Sequence, residues 1–314
     1  MRVKELVEAY ISYRRSLGSK YVEAARILHC FARHAGEDKD AREINLEICT
    51  SFLYGKEETV TYSWFSRYSI LKMVFEWAIV RGYMDDIPLP NEKPKRPRRM
   101  PPYIYNRKEL MKIFDAAMTY QKNRSKIPPE CIQTILKVTY VLGLRLNETL
   151  SLKSKDINLQ ELHVIIRETK FNKTRIVPFN HQVRDFLQNF INWRASQHPD
   201  CGNDTHLFLD KNGRPIHKGV VQHIFIKIRN AAGISRSDGV CCQPRIHDLR
   251  HTFAVNRLTV WYRDGKDVQN HISLLSTYLG HDKVSYTSVY LTMTDDLLKE
   301  ASKRFKAYTD GKKL

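Results

Sequence analysis

Six residues in the later two-thirds of the chain are of types that could act together on a phosphate group. They are, in chain order, Arg145, Lys170, His247, Arg250, His281 and Tyr290. The arginines, the lysine and the histidines could surround one phosphate and stabilise the negative charge that develops on it. The tyrosine could attack the phosphorus as a nucleophile. No single member of the set is specific, and the set is informative through its order and spacing.

Taken singly, these signals have ordinary structural explanations. Arg145 and Glu148 lie three positions apart, so they share a helical face, and an exposed pair of this kind contributes well under ~1 kcal/mol. His247 and Arg250 have the same spacing, which also arises by chance. Tyr290 lies in a stretch rich in aromatic residues, and a helical tyrosine more often packs in a core than reacts. Chemistry is therefore indicated only by the whole set.

A zinc site is a rival interpretation of the same region. His247 and His251 are four residues apart, as two zinc ligands on one helix can be. A zinc protease of that kind requires a glutamate directly after the first histidine, whereas this chain has the shorter Asp248 there. No further ligand stands out at a recognisable spacing. The sequence therefore predicts neither a metal site nor a cofactor.

The composition favours a polyanionic partner. The 314 residues include 52 lysines and arginines against 34 acidic residues, a formal net charge of +18. Nucleic acid is then the first partner to consider, and a basic protein without such a partner is the alternative. No apolar run is long enough for a membrane span, and the amphipathic, acid-containing start is unlike a secretory signal. The six cysteines form no CxxC pair, so we expect reduced thiols in a cytoplasmic protein.

The first 90 residues have the apolar periodicity of helices. The predicted helices include residues 6–11, 22–32, 46–54 and 60–80. Four helices of this length make a compact bundle, which we assign as a first domain, 1–90. A second domain is expected after it, because 314 residues are too many for one domain of average size.

A basic segment rich in proline, 91–106, follows the predicted bundle. Its prolines cannot continue a helix, so we expect an extended linker between two domains. Five basic side chains in it could contact phosphates across a DNA groove. These are Lys93, Lys95, Arg96, Arg98 and Arg99. A solvated tether without DNA contacts is the alternative.

The remaining residues, 107–314, predict a mainly helical domain with one small hairpin. The expected helices are 107–119, 129–141 with a further turn through 152, 181–196, 216–231, 247–262, 268–279 and 295–308. Two β-type runs, 164–166 and 176–179, flank a polar turn with Lys170 and Lys173 near its tip. The fold class is therefore mainly α with a small β-sheet.

Together, the segments GLRLNETLSL, TKFNKTRIVP, HDLRHTFA and LGHDKVSYTSVY resemble the tyrosine recombinases, also called the phage integrase family. The resemblance spans about 107–301, and the helical bundle with its basic linker agrees with the core-binding domain of that family. The combined motifs are highly specific, because six residues fall in the family's order with similar spacing.

The resemblance implies roles for the residues that match the family pattern. Arg145 and Arg250 match the arginines that grip the phosphate oxygens. His247 would move the proton of the tyrosine, and His281 would donate a hydrogen bond to the phosphate. Tyr290, nine residues after His281, matches the nucleophile.

The chain departs from the family pattern at the hairpin. Lys170 matches the lysine that would protonate the leaving 5′ oxygen, but Phe171 stands where the family usually has glycine. Lys173 is therefore a rival for that role. Otherwise Lys173 and Arg175 would contact the DNA backbone, and Glu148 matches the acid that commonly follows the first arginine.

The resemblance also implies a reaction and its partners. Cleavage would leave a 3′-phosphotyrosyl enzyme and a free 5′-hydroxyl without metal or ATP, because the covalent bond keeps the phosphodiester energy. Double-stranded DNA would be clamped by a homotetramer on two synapsed sites, or by a hetero-oligomer with related recombinases, with the segment 295–314 reaching a neighbour. The long interval between Arg250 and His281 looks like that of recombinases carried by bacterial mobile elements.

Two other functions remain open at this point. A type IB topoisomerase shares the chemistry but relaxes DNA as a monomer, so relaxation without a defined site would indicate it. A DNA-binding protein with an inactive site would form no covalent DNA adduct.

Overall fold

The computed structural model describes residues 1–55, 60–97, 100–119, 125–167, 174–240 and 242–292, and beyond them positions 298, 299, 302, 305, 306 and 309. The chain divides into two compact units, Met1–Arg99 and Met100–Leu314. This division falls inside the segment 91–106 that the sequence suggests as a linker. The described residues are mainly helical with one small sheet, which confirms the predicted fold class.

The first unit contains the four helices expected from the sequence. They are α1 (Val3–Ser16), α2 (Val22–Ala35), α3 (Leu46–Tyr54) and α4 (Tyr62–Val80). Their apolar faces meet in one core that buries large aromatic side chains, among them Tyr10, Phe31, Trp64 and Phe75. The start of α3 is fixed by Asn45, whose side chain accepts a hydrogen bond from the Ile48 backbone N–H at 3.0 Å.

Part of the basic segment lies along α4. The Tyr62 hydroxyl donates to the Pro97 carbonyl at 2.8 Å. Lys93 and Arg96 place their cationic groups over aromatic rings of α4, at 4.6 and 5.1 Å from the ring centres. Three basic side chains of the segment are exposed, namely Lys93, Lys95 and Arg96, whereas Arg98 and Arg99 lie outside the described residues.

The second unit contains the other helices. They are α5 (Arg107–Thr119), α6 (Pro129–Val141), α7 (Leu146–Ser151), α8 (His181–Gln197), α9 (Lys218–Ala231), α10 (Asp248–Arg263), α11 (Val268–Leu279) and the short α12 (Ser285–Ser288). Those predicted from periodicity begin and end within two residues of the expected positions. A single turn of 3-10 helix, Val289–Thr292, follows α12. The helix predicted over 295–308 lies largely outside the described residues.

The sheet of the second unit has the antiparallel order β1-β2-β3. Its strands are β1 (Ile157–Asn158), β2 (His163–Ile166) and β3 (Arg175–Pro178). The predicted hairpin is β2 and β3, with Val164 opposite Val177 and Ile166 opposite Arg175. β1 was not predicted, because two residues are too few to show an alternating pattern. The hairpin tip, 168–173, with Lys170 and Lys173, lies outside the described residues.

Helix α10 packs against several other elements of the second unit. It begins at Asp248, whose buried carboxylate accepts from the Arg245 backbone N–H at 2.7 Å. Asp248 therefore fixes the turn that leads into α10. α10 packs against α6, α11 and the 3-10 turn that carries Tyr290. Within the described part of the chain, no helix combines the length and the apolar character that crossing a membrane requires.

Candidate active site

Three arginines surround one buried glutamate, a group that we call the arginine cluster: Arg145, Arg175 and Arg250 around Glu148. The carboxylate accepts from the Arg145 backbone N–H at 2.9 Å and from its Nη1 at 2.8 Å. Arg175 donates from Nη1 and Nη2 to the two carboxylate oxygens, at 3.0 and 2.8 Å. Arg250 Nη1 lies 3.7 Å from Oε2. The short helix α7 presents Arg145 and Glu148 together, because the glutamate also caps the start of that helix.

The same three arginines donate to three consecutive carbonyl groups at the end of α11, residues 278–280. Arg175 Nε donates to the first at 2.9 Å, Arg250 Nη2 to the second at 2.5 Å, and Arg145 Nη2 to the third at 2.8 Å. The last carbonyls of a helix have no partner within the helix and carry partial negative charge. Arg250 also donates from Nη1 to the Gly143 carbonyl at 2.9 Å. The arginine cluster is therefore tied to the segment that precedes Tyr290.

The arginine cluster carries uncompensated positive charge. Burial alone would raise the pKa of Glu148, but the hydrogen bonds and charge of Arg175 outweigh it and lower that pKa to about 2. Glu148 is therefore ionised at neutral pH, and three guanidinium groups face one carboxylate. Arg250 is 1% exposed, whereas the Arg145 side chain is 34% exposed. The two positive charges in excess make the site suited to an anion such as a phosphodiester.

A second group, the histidine–tyrosine cluster, consists of His247, His251, His281 and Tyr290. His251 Nδ1 lies 2.8 Å from the Tyr290 hydroxyl oxygen, at hydrogen-bond distance. The rings of His247 and His251 meet edge to face with centres 4.7 Å apart. The His281 ring lies 6.3 Å from the Tyr290 ring, and its Nδ1 is 2.8 Å from the Thr287 hydroxyl. Tyr290 is only 3% exposed.

The histidine–tyrosine cluster is neutral at neutral pH. Burial, followed by the charge of Arg250, lowers the pKa of both His247 and His281 to about 4. Burial, followed by the nearby His247, lowers the pKa of His251 to about 3. Burial raises the pKa of Tyr290, and the charges of Arg250 and Arg145 oppose that rise. The phenol therefore keeps its proton, and a neutral imidazole is hydrogen-bonded to it.

Six of the residues expected from the sequence meet in this one region, namely Arg145, Glu148, His247, Arg250, His281 and Tyr290. Lys170 and Lys173 lie outside the described residues. Arg175 differs from the expectation of a DNA contact. Its side chain is 11% exposed, and its described donors engage Glu148 and the carbonyl of residue 278. Pairing of β3 with β2 turns Arg175 toward the arginine cluster instead of outward.

His251 is the residue that the sequence left without a role in phosphate chemistry. Its spacing from His247 indicates only a possible pair of zinc ligands. Across the ranges that the structure describes, no group of three or more His, Cys, Asp or Glu side chains could hold a metal ion. The available signal was its position, one helical turn after His247 and next to Arg250 on α10.

Comparison with known proteins gives a consistent result. Residues 105–296 match the model of the phage integrase family. A putative integrase/recombinase of Sinorhizobium fredii, y4rB, is 30% identical over 303 residues, which is 96% of each chain. The tyrosine recombinase XerD of Listeria monocytogenes is 25% identical over 317 residues, covering 96% of this chain and 99% of the relative.

Solved structures share the fold at low sequence identity. A lambda integrase tetramer bound to a Holliday junction aligns with a TM-score of 0.64 at 15% identity, over 95% of this chain and 78% of the integrase chain. The Tn1549 transposon integrase in complex with transposon right end DNA aligns with a TM-score of 0.63 at 18% identity, over 98% of this chain and 100% of the integrase chain.

Proposed function

Because the chain belongs to the phage integrase family and is a tyrosine-type site-specific DNA recombinase, we propose that it cuts and rejoins double-stranded DNA through a 3′-phosphotyrosyl intermediate. Tyr290 is the proposed nucleophile. The observation that carries this proposal is the meeting of the two clusters. A protonated phenol with a neutral imidazole as its partner lies next to a site with excess positive charge.

The arginine cluster supports phosphate binding in this proposal. Each guanidinium has five N–H donors, and the contacts of Arg145 and Arg250 with the protein leave further N–H groups for non-bridging phosphate oxygens. Negative charge on those oxygens grows as phosphorus becomes five-coordinate, so the arginines stabilise the transition state more than the bound DNA. Arg175 is a proposed positioning residue, because it holds Glu148 between the two arginines without facing the phosphate.

The covalent step requires a proton to leave Tyr290 and another to reach the leaving oxygen. The Tyr290 oxygen attacks phosphorus, the bond from phosphorus to the 5′ oxygen breaks, and a 5′-hydroxyl is released. Lys170 is the proposed donor of the second proton, with Lys173 as its rival. His281, as a neutral imidazole, is proposed to donate one N–H to the phosphate. Strand exchange reverses the step with a different 5′-hydroxyl.

Contacts with the DNA backbone are proposed for the basic residues outside the two clusters. They are Lys93, Lys95, Arg96, Arg98, Arg99 and Lys173. Such contacts release counterions, so binding should weaken steeply as salt rises. In the same proposal, 1–90 is the core-binding domain, 91–106 is the linker and 107–314 is the catalytic domain.

A homotetramer on two synapsed sites is the proposed assembly, in line with the tetrameric lambda integrase structure.

A pocket on the second unit could receive the C-terminal segment 295–314 of a neighbouring protomer. A pocket of about 390 Å³ is lined by apolar side chains that include Phe253, Trp261 and Tyr278. Leu298 and Phe305, within the segment 295–314, are 44% and 70% exposed. We propose that this segment fills the pocket of the adjacent protomer, and that Phe305→Asp prevents synapsis while leaving single-site binding intact.

Covalent capture tests the proposed function. A pool of random duplexes with a nick near the centre is incubated with wild-type protein, and adducts that survive denaturation are recovered and sequenced. We expect adducts on a common sequence from wild type and none from Tyr290→Phe, which should bind the same DNA normally. An adduct that persists in Tyr290→Phe would move the nucleophile to another residue, with Tyr286 as the first candidate.

The alternatives give different outcomes in the same experiment. Adducts without a common sequence, together with relaxation of supercoiled plasmid by monomers, would indicate a type IB topoisomerase. Binding of DNA without any adduct from wild type would indicate a protein with an inactive site. Junction sequencing in cells would then distinguish integration, excision and resolution.

A further inference from the structure

The described hydrogen bond of the proposed nucleophile goes to His251 and not to the histidine that the family pattern selects. His251 Nδ1 is 2.8 Å from the Tyr290 oxygen, and their ring centres are 5.5 Å apart. His247 contacts His251 edge to face. We infer that His251 is a further catalytic residue, the group that accepts the proton of Tyr290 when the phenol attacks phosphorus. This inference rests on the proposed function.

The step balances with groups of the protein itself. The O–H bond of Tyr290 breaks, and its proton forms a bond with Nδ1 of the neutral His251 imidazole. The phenolic oxygen forms its bond with phosphorus as the bond to the 5′ oxygen breaks. The 5′ oxygen takes a proton from the hairpin lysine. In the reverse step, the His251 imidazolium returns its proton to the tyrosine as a 5′-hydroxyl attacks.

The position of His251 suits this role. It follows Arg250 directly on α10, so one helix fixes its position relative to the arginine cluster. The 3-10 turn that carries Tyr290 packs against the same helix and brings the phenol to His251. Accepting at Nδ1 requires the tautomer with hydrogen on Nε2. The Tyr290 oxygen is thereby directed by a fixed hydrogen bond before DNA arrives, which is the arrangement expected of a nucleophile and its base.

The charges that face His251 change when a phosphate binds. Burial is the main cause that disfavours the imidazolium of His251 in the free protein. His247, Arg250 and Arg245, on or just before α10, and His281, beyond α11, act in the same direction. A phosphodiester in the arginine cluster brings negative charge close to the same helix. It offsets the positive charge of the arginines and makes His251 a better proton acceptor at the stage when the reaction needs one.

Replacing His251 by asparagine distinguishes a packing role from a role as the base, because the two roles predict different cleavage rates for the variant. In His251→Asn, the new amide oxygen falls near the position of Nδ1 and can accept a hydrogen bond, but it cannot take the proton. His251→Leu removes both properties. If the residue only packs against or orients Tyr290, His251→Asn should keep most of the activity. If it is the base, both substitutions should be slow.

The test measures single-turnover cleavage of the recovered DNA at saturating protein. We expect His251→Asn and His251→Leu to cleave at least about a hundredfold more slowly, as loss of a general base does, with DNA binding changed less than about threefold. His223→Gln, on the exposed surface of α9, is the matched control and should cleave as wild type does. His251→Asn cleaving within about threefold of wild type would overturn the inference.

A second measurement keeps His251 in place and so does not depend on how its variants fold. Replacement of Tyr290 by 3-fluorotyrosine lowers the pKa of the phenol. If His251 takes the proton, the acid limb of the pH–rate profile reports the histidine and should stay where it is. An acid limb that moves with the phenol would overturn the inference. A wild-type protein without any Tyr290-dependent adduct would overturn the proposed function itself, which separates the two failures.

Discussion

The arginine cluster and the histidine–tyrosine cluster both include residues of helix α10, but the side chains of the first are charged and those of the second are neutral. The arginine cluster holds its members ionised, with Glu148 bound by Arg175 and Arg145. The histidine–tyrosine cluster is kept neutral by burial and by the positive field of the first. The arginine cluster is therefore suited to binding an anion, and the histidine–tyrosine cluster is suited to the proposed transfer of a proton during the reaction. A substitution in the arginine cluster and one in the histidine–tyrosine cluster should therefore differ in how strongly they change the cleavage rate and the stability of the fold.

The largest effect is expected from the two arginines that are proposed to bind the phosphate. Arg145→Ala and Arg250→Ala should each slow cleavage by roughly 10²- to 10³-fold, because each removes charge stabilisation from the transition state. DNA binding should change much less. Arg250→Ala should also lower the melting temperature, since Arg250 is buried and binds two carbonyls.

The matched control for that pair is Arg184→Ala, because Arg184 is exposed and pairs with Asp185 on α8. It should leave both cleavage and stability as in wild type. Cleavage within about threefold of wild type for either cluster arginine would remove that residue from the site.

The carboxylate of the arginine cluster should make stability depend on acidity. The folded state lowers the pKa of Glu148 to about 2, so its contribution is fully present above the ordinary glutamate pKa near 4.5 and is lost as pH falls toward about 2. Linkage gives about 3 kcal/mol over that window. Glu148→Gln should be less stable at pH 7 and lose less stability below pH 4.5.

Denaturant unfolding of the two proteins across that range measures the difference, with Glu76→Gln on α4 as the exposed control. The three histidines begin to act at higher pH, because their lowered pKa values make stability fall as pH drops from about 6.5 toward about 4 for His247 and His281 and about 3 for His251. Both proteins share that loss, so a difference confined to the histidine range would contradict the assignment.

A smaller effect on rate should separate the two hairpin lysines. We expect Lys170→Ala to cleave normal DNA about 100-fold more slowly and to recover on DNA with a 5′-bridging sulfur, which leaves without a proton. Lys173→Ala should be mildly slow and gain no special recovery. His251→Asn should not recover either, since its defect lies in the other proton transfer. Recovery of Lys173→Ala instead would reverse the lysine assignment.

The smallest effect should come from the turn that supplies a carbonyl to Arg250. Gly143 has φ of +59°, and a Cβ there would lie 2.4 Å from the Phe253 ring on α10. Gly233 has φ of +67° with nothing within 4 Å of such a Cβ. Gly143→Ala should therefore cost about 1 to 2 kcal/mol more than Gly233→Ala in unfolding free energy, and only Gly143→Ala should slow cleavage. Equal losses of unfolding free energy in the two variants would show that α10 can shift to accommodate the added methyl group, and would contradict the prediction.

The sequence predicted those features that depend on local pattern. The helices of both units followed from apolar periodicity, and the hairpin followed from the two β-type runs, 164–166 and 176–179, on either side of a polar turn. The sequence could not predict which distant residues a side chain contacts after the chain has folded. Arg175 sits beside a basic hairpin tip in the sequence, yet strand pairing turns it toward Glu148. The hydrogen bond between His251 and Tyr290 could not be predicted either, because it depends on a 3-10 turn that no periodic pattern reveals and that places Tyr290 against α10.

The three arginines bind the last turn of α11 and leave its first turn free of them. Gly280, with φ of +66°, ends the helix and supplies the last of those three carbonyls, and the chain then continues into the segment that carries Tyr290. The position of Tyr290 therefore depends on the end of α11, whereas the connection 264–267 between α10 and α11 lies at the other end of that helix. Residues could be added to or removed from that connection during evolution, or by an engineer attaching a tag, without altering the reach of the tyrosine.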